Sequence, residues 1–338
     1  MPKNVTIKDI AAKAGVSIAL VSFVMNNRIE SDGKQKYRVN AQTRQRILEV
    51  AKALNYQPNA AARTLRRGRT HVLGVILSDI SNVFYGEIAK QIEYIAFQHG
   101  YTVLFGSSDE SAQKFERIVR SFLDRGVEGF IVVPCEGAYP TLEHILKLDI
   151  PLVIIDRKDI ALPAPKVVLD NDEAMHHAVS LLTEKGLKKI EMVSYTMRVS
   201  SISGREDGFT NTMRSLGFPE DDIRIHRLPF TSIGTDTDKL MPSIMERNVE
   251  GLVFATNSLA IAAIKKLSSM GVKIQKDIHL VGFDNSDVYD LFDPPIPHIK
   301  QPIDQICSKA FSLLKQLIDR EISQESKLIT LTGEVVYR

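Results

Sequence analysis

Residues 6–27 constrain this chain more than any other stretch: Thr6-Ile-Lys-Asp-Ile-Ala-Ala-Lys-Ala-Gly15-Val-Ser17-Ile-Ala-Leu-Val-Ser22-Phe-Val-Met-Asn26-Asn27. Ile7, Ile10, Ala11 and Ala14 recur at helical spacing, and Thr6 ahead of them has a hydroxyl suited to capping a helix N-terminus. Gly15 supplies the left-handed residue that ends a helix, and Val16-Ser17 opens a second helix two residues later. Val16, Leu20, Val21 and Val24 give that helix its buried stripe. So short a connection holds two helices at a steep angle, which lets the second enter a DNA major groove. An ordinary helical hairpin shares this small-residue composition, so the segment does not decide alone.

Charge adds the second argument. The 338-residue chain carries a net charge of only +2. Residues 1–70, however, hold 14 Lys/Arg against four acids (Asp9, Glu30, Asp32, Glu49), a net of +10. The rest holds 29 bases against 37 acids, a net of −8. A basic N-terminal module on an acidic body is an electrostatic footprint for nucleic acid. Length implies more than one domain, with 44% hydrophobic residues to fill the cores. Cys135 and Cys307 match no metal or redox spacing and are expected to be buried, reduced thiols. No apolar run precedes the first helix and none is long enough to span a bilayer, so a cytoplasmic protein with no membrane partner is expected.

Residues 41–55 form a third helix whose stripe of Ile47, Val50, Ala51 and Leu54 can close a three-helix core. Pro58 forbids its simple continuation, and Asn59 can cap a short new helix. That helix would be basic and Ala-rich, with Leu65 its single large apolar residue. A bare linker has the same length. An apolar wedge beside arginines is nonetheless what a minor-groove binder needs to unstack and kink a base step.

As an ordered set, these motifs resemble the LacI/GalR family of transcriptional regulators over essentially the whole chain. The residues that carry the likeness are Thr6, Asp9-Ile10-Ala11, Ala14-Gly15-Val16-Ser17, Val21-Ser22, Tyr56, Pro58-Asn59, Ala62-Arg63 and Leu65. Gly74, Asp79-Ile80-Ser81-Asn82, Arg205, Gly208-Phe209 and Val281-Gly282-Phe283-Asp284 extend it. The resemblance implies phosphate contacts from Thr6, Ser17, Ser22 and Asn26, and base contacts from Ile18, Ala19 and Phe23. It also implies a hinge helix capped by Asn59 whose Asn59, Ala62, Leu65 and Arg66 contact DNA, with Leu65 as wedge and Arg66 beside it. Two departures stand out. Where the family usually has Thr-Val-Ser-Arg, this chain has Leu20-Val21-Ser22-Phe23, which exchanges a bidentate arginine for an apolar ring able to meet a thymine methyl. Residues 28–38 also make a longer connection into the third helix than is usual in the family.

From Val72 onward, apolar runs (Leu73–Leu77, Thr102–Phe105, Gly129–Val133, Leu152–Ile155, Ile190–Val193, Gly251–Phe254, Leu280–Phe283) alternate with amphipathic stretches. That rhythm predicts parallel sheets covered on both faces, with too many strands for one compact sheet. Resemblance implies the two-lobed periplasmic-binding-protein-like fold, with crossovers near 170, 300 and 328. The expected class is thus an all-α helix-turn-helix headpiece plus a two-lobed α/β core. Expected boundaries are 1–57 for the headpiece, 58–70 for the hinge and 71–338 for the core. Within the core, one lobe takes about 71–170 and 300–327, the other about 171–299 and 328–338.

Ligands of open α/β sheets sit beyond the carboxyl ends of strands. The residues there (Asn82, Phe84, Tyr85, Ser108, Asp156, Arg157, Asn257 and Asp284) form a polar, partly aromatic set suited to a small polyhydroxylated ligand. Resemblance makes Arg205 and Asp284 effector ligands, aligns Asn257 with the family's Asn-Asp but with Ser258 in place of the Asp, and puts a polar contact at Ser201. Structural ion pairs remain alternatives for Asp156, Arg157 and Arg205, and helix-core packing for Phe84 and Tyr85. No GxGxxG, GxxxxGK[ST], GxSxG or HExxH occurs, and His176-His177 diverge on a helix, so no catalytic residue, metal or cofactor is expected. The expected function is an effector-controlled homodimeric repressor of a near-palindromic operator. A transport solute-binding protein and a sugar- or nucleoside-acting enzyme are the other classes. The basic headpiece opposes the first, and the lack of a nucleophile–base pair opposes the second.

Overall fold

The computed structural model describes residues 5–25, 39–56 and 69–337, which divide into an N-terminal unit ending at Arg69 and a second unit from Thr70. The first unit contains α1 (Ile7–Ala14), α2 (Ile18–Met25) and α3 (Ala41–Ala53). Asp9 Oδ2 accepts from both the Thr6 N–H and the Thr6 hydroxyl at 2.7 Å, which ties down the first turn of α1. Gly15 sits at φ 65°, ψ 40°, the left-handed geometry that frees Val16 N–H to reach the Ala11 carbonyl at 3.1 Å. Ser17 Oγ accepts from Leu20 N–H at 3.2 Å and starts α2. Ile10, Val21 and Ile47, one from each helix, are fully buried, and Ala11, Ala14, Val24 and Ala51 complete the core.

The second unit holds two six-stranded sheets. In the first lobe lie β1 (Val72–Leu77), α4 (Val83–Gln98), β2 (Thr102–Ser107), α5 (Ala112–Leu123), β3 (Phe130–Val132), α6 (Tyr139–Lys147), β4 (Leu152–Ile155) and β5 (Lys166–Leu169). The second lobe follows with α7 (Asn171–Thr183), β6 (Ile190–Tyr195), α8 (Ser200–Ser215), β7 (Arg224–Leu228), α9 (Ile233–Glu246), β8 (Gly251–Phe254), α10 (Asn257–Ser269), β9 (His279–Phe283) and β10 (His298–Lys300). The chain then returns with α11 (Ile303–Ile318) and β11 (Leu328–Leu331) and ends on β12 (Glu334–Val336).

The strand orders are β11-β5-β4-β3-β1-β2 and β12-β10-β9-β8-β6-β7. All pairings are parallel except β10 with β12. Parallel strands covered on both faces are apolar throughout, and β4 and β8 are buried at every position. One boundary differs from the sequence expectation, which gave residues 328–338 to the second lobe. Leu328–Leu331 pairs in parallel with β5 of the first sheet, and the last crossing falls at Thr332-Gly333. Its alternating half-exposed pattern is that of a sheet-edge strand, which leaves little hydrophobic signal to assign it by.

Candidate effector cleft and DNA-reading helix

In the second unit, the ends of β1, β2 and β4 face the ends of β6, β8 and β9 across a cleft. Asp156 directly follows β4 and Asp284 directly follows β9, and both adopt left-handed backbone, at φ 65° and φ 63°. Aspartate is among the few residue types that tolerate this geometry, so each lobe turns a carboxylate off its sheet at an equivalent place.

On the first-lobe wall, Arg157 is buried and its Nη2 donates to Glu110 Oε1 at 2.8 Å. Its Nε lies 3.0 Å from Asp156 Oδ2 without hydrogen-bond alignment, and Nη1 has no partner. The Ser78 hydroxyl also donates to Glu110, and Tyr85 Oη donates to Asp156 Oδ2 at 3.1 Å. Burial works to lower the Arg157 pKa, but the Asp156 and Glu110 carboxylates beside it outweigh it and hold the guanidinium charged. Burial, reinforced by Asp156, raises the Tyr85 phenol well above its ordinary value, so it stays a donor.

The second-lobe wall is built differently. Arg205 Nε donates to Asn171 Oδ1 at 2.8 Å and Nη1 to the Ala255 carbonyl at 2.7 Å, while its guanidinium lies 3.9 Å over the Phe283 ring. Asn171 begins α7 and Arg205 sits in α8, so the bond depends on close helix packing. Gly208 permits it: a Cβ there would stand 2.9 Å from Asp172 Cα. Asp284 Oδ1 accepts from Gln301 Nε2 at 2.7 Å, and Oδ2 from Asn257 N–H at 3.4 Å. Burial raises the Asp284 pKa, although Arg205 and these donors oppose it. Tyr195, which accepts from the Thr256 hydroxyl at 3.2 Å, is pushed up to about 12 by burial.

Four hydrogen bonds join the walls. Asn82 Nδ2 donates to Ser258 Oγ at 3.3 Å, and Asn257 Nδ2 to Asn82 Oδ1 at 3.2 Å. Ser201 Oγ donates to Asp156 Oδ2 at 3.3 Å, and Lys158 N–H to Ser200 Oγ at 2.7 Å. They close the lobes on a cavity of about 40 Å³, room for a few water molecules. A ring-sized ligand therefore enters only when the lobes part.

Of the residues expected from sequence, Asn82, Phe84, Tyr85, Asp156, Arg157, Ser201, Arg205 and Asp284 meet at this cavity. Asn257 stands behind it, bonded to Asn82 and Asp284, and Ser108 is buried away from it. Sequence reasoning missed Glu110, Tyr195 and Gln301. Tyr195 could have been found as the residue ending the Ile190 strand. Glu110 and Gln301 enter from a left-handed turn and from a lobe crossing, which carry no periodic signal.

In the headpiece, Thr6, Ser17, Ile18 and Ala19 are exposed, whereas Ser22 and Phe23 are half-buried and Phe23 packs against the three-helix core. Asn26, Asn59, Ala62, Leu65 and Arg66 lie outside the described residues. Among the described residues, no group of three or more His, Cys, Asp or Glu is placed to hold a metal. Among the same residues, no helix is long and apolar enough to cross a membrane.

Residues 6–59 match the model of bacterial regulatory proteins of the lacI family, and residues 179–338 match that of a periplasmic binding protein-like domain. The HTH-type transcriptional regulator DegA of Bacillus subtilis is 31% identical over 305 residues, covering 89% of this chain and 88% of that protein. The chain belongs to the LacI family. Catabolite control protein A of Priestia megaterium is 29% identical over 338 residues, covering 99% of this chain and 98% of that protein. The fold matches that of the lac repressor dimer bound to operator and the anti-inducer ONPF, with a TM-score of 0.81 at 21% identity, covering 99% and 98% of the two chains. As a LacI-family member the protein is a DNA-binding transcription regulator.

Proposed function

We propose that this LacI-family protein is a homodimeric repressor whose hold on a near-palindromic operator is set by an uncharged, polyhydroxylated effector bound between the lobes. The observation that carries the effector class is the charge balance of the cleft. Asp79, Glu110, Asp156 and Asp284 line it against Arg157 and Arg205. Arg157 already faces two carboxylates, and Arg205 is the countercharge of Asp284. Among the described lining residues no cation is left for a phosphate or carboxylate, and an added anion would meet net negative charge. Hydroxyl groups suit this wall, since they donate to carboxylates and accept from the unpartnered Arg157 Nη1. Phe84 and Phe230 offer apolar faces for a sugar ring.

On this reading the protein binds effector and DNA without catalysing a reaction, needs no metal or cofactor, has no membrane role and works in the cytoplasm. Thr6, Ser17, Ser22 and Asn26 take phosphates, while Ile18, Ala19 and Phe23 face bases. Asn59, Ala62, Leu65 and Arg66 of the short hinge helix contact the DNA, and Leu65 enters the minor groove. A helix that short folds only with support, so DNA binding and lobe closure are coupled, typically by about 1–3 kcal/mol.

The test is a thermal-shift screen against paired sugars, sugar phosphates, sugar acids and nucleobases, followed by operator titration with any hit. A neutral sugar should raise the melting temperature, and Arg205→Ala should remove that shift while DNA binding persists. Stabilisation by sugar phosphates alone would overturn the effector class. Leu65→Ala should weaken specific DNA binding and leave effector binding intact. Unchanged operator affinity would remove the wedge.

A further inference from the structure

The helix that enters the major groove has an unusual surface. Helix α2, Ile18–Met25, contains no charged and no amide side chain. Its buried and half-buried positions account for Leu20 to Met25, Phe23 among them, which packs against the headpiece core. Only Ile18 and Ala19, at the N-terminal end, are exposed, Ile18 to 44%. The nearest hydroxyl before them, Ser17 Oγ, already accepts the Leu20 N–H that caps the helix. The end of a recognition helix that reaches base edges therefore presents hydrocarbon.

Guanine is read by arginine or lysine, adenine by asparagine or glutamine, and cytosine by a carboxylate. Ile18 and Ala19 can make none of these contacts. The one apolar group on a major-groove edge is the thymine C5-methyl. The exposed cations of the described headpiece, Lys8, Lys13, Arg46 and Lys52, lie on α1 and α3, where they suit phosphates and carry no sequence information.

We propose that Ile18, supported by Ala19, carries the sequence discrimination of α2 and selects the operator half-site through thymine methyl groups. This rests on the repressor reading above. It also transfers to Ile18 the methyl contact that the sequence suggested for Phe23, because Phe23 spends much of its ring on the headpiece core. The half-site under α2 is then A·T-rich at fixed positions. Discrimination is lost when the methyl is removed, even though every hydrogen-bonding edge of the base pair stays the same.

The test uses the full-length protein. Binding sites are enriched from a randomised duplex library, and the best site is remade with deoxyuridine replacing thymine at one fixed position of each half-site in turn. Wild type should bind about fourfold more weakly per methyl lost at the positions facing Ile18. Ile18→Ala should bind the thymine site more weakly and lose the thymine–uracil difference, while Ile18→Val should keep part of it. The salt dependence of binding should be the same for all three proteins, since the phosphate contacts are untouched. Deoxyuridine that binds as well as thymine at every position, or enriched half-sites built on G·C pairs under α2, would overturn the proposal. Failure to enrich any sequence would instead sink the sequence-specific repressor reading on which it stands.

Discussion

The two walls of the proposed effector cleft each present an arginine and an aspartate, yet they hold them by different means. On the first lobe, Arg157 is surrounded by charge, with Glu110 at 2.8 Å and Asp156 at 3.0 Å. On the second, Arg205 is held by neutral partners, the Asn171 amide, the Ala255 carbonyl and the face of Phe283. A charged cage is costly to leave half-empty, whereas neutral anchors orient a guanidinium that balances the buried Asp284. The first wall is thus a fixed acidic floor, and on the proposed reading the second is the side that answers the effector.

The largest expected effect breaks the first wall. Arg157→Met leaves Glu110 and Asp156 buried beside each other without their cation, a loss of about 3–5 kcal/mol in unfolding free energy. Chemical denaturation measures it, and a loss below about 1 kcal/mol would show that the cage carries little stability. Arg205→Met should cost less, about 1–3 kcal/mol, because it strands a neutral amide and a carbonyl, and Asp284, although it loses a countercharge, keeps its Gln301 and Asn257 donors. It should nonetheless abolish the effector-induced thermal shift. Equal stability losses in the two variants would erase the distinction between the walls.

Much of this contrast could be read in the sequence and some could not. The apolar runs that became β1, β4, β8 and β9 are buried on both faces, so hydrophobicity alone marks them and the residues at their ends. Asp156, Arg157 and Asp284 stand out in this way, whereas Arg205, inside α8, is marked by the family resemblance it shares with Gly208-Phe209. By contrast β7, Arg-Ile-His-Arg-Leu, is an edge strand with exposed charges and does not stand out, and β11, legible as a strand, alternates like a surface strand and carries no mark of the sheet it joins. Glu110 was missed because its role depends on an ion pair between residues 47 positions apart, and Gln301 because it comes from a lobe crossing. Long-range pairing of polar groups leaves no period in the chain. It decides here which arginine is caged and which is anchored.

Acid titration sharpens the comparison within the second lobe. Glu191 is buried, which alone would raise its pKa, but His226 at 2.6 Å and Arg247 at 2.8 Å outweigh that and lower it. Its contribution is complete above the unfolded value of about 4.3 and is lost as pH falls through the lower folded value. Asp284 has the opposite sign, since burial raises its pKa. The folded state prefers the proton there, so stability is lost as pH rises from about 3.9 through the folded value. Removing Glu191 with Glu191→Gln should flatten the acid loss of stability measured by denaturation between pH 5 and about 3. Asp284→Asn should steepen it. Changes of the same sign in both variants would show that these two carboxylates do not set the profile.

The smallest effect concerns how the walls meet. Ser258 Oγ accepts from Asn82 at 3.3 Å and donates to Asn257 Oδ1 at 3.3 Å, in a place where the family resemblance expects an aspartate. A neutral hydroxyl makes this latch weak. Ser258→Ala should cost about 0.5–1.5 kcal/mol of lobe closure and leave the overall fold unaffected. Effector affinity falls by the same free energy if the ligand needs the closed form, a loss of about two- to tenfold measurable by calorimetry. The two walls would then contribute unequally to binding and nearly equally to closing. An affinity loss as large as that of Arg205→Met would make Ser258 a direct effector ligand, and the latch would have to be assigned to Ser201 and Asp156 instead.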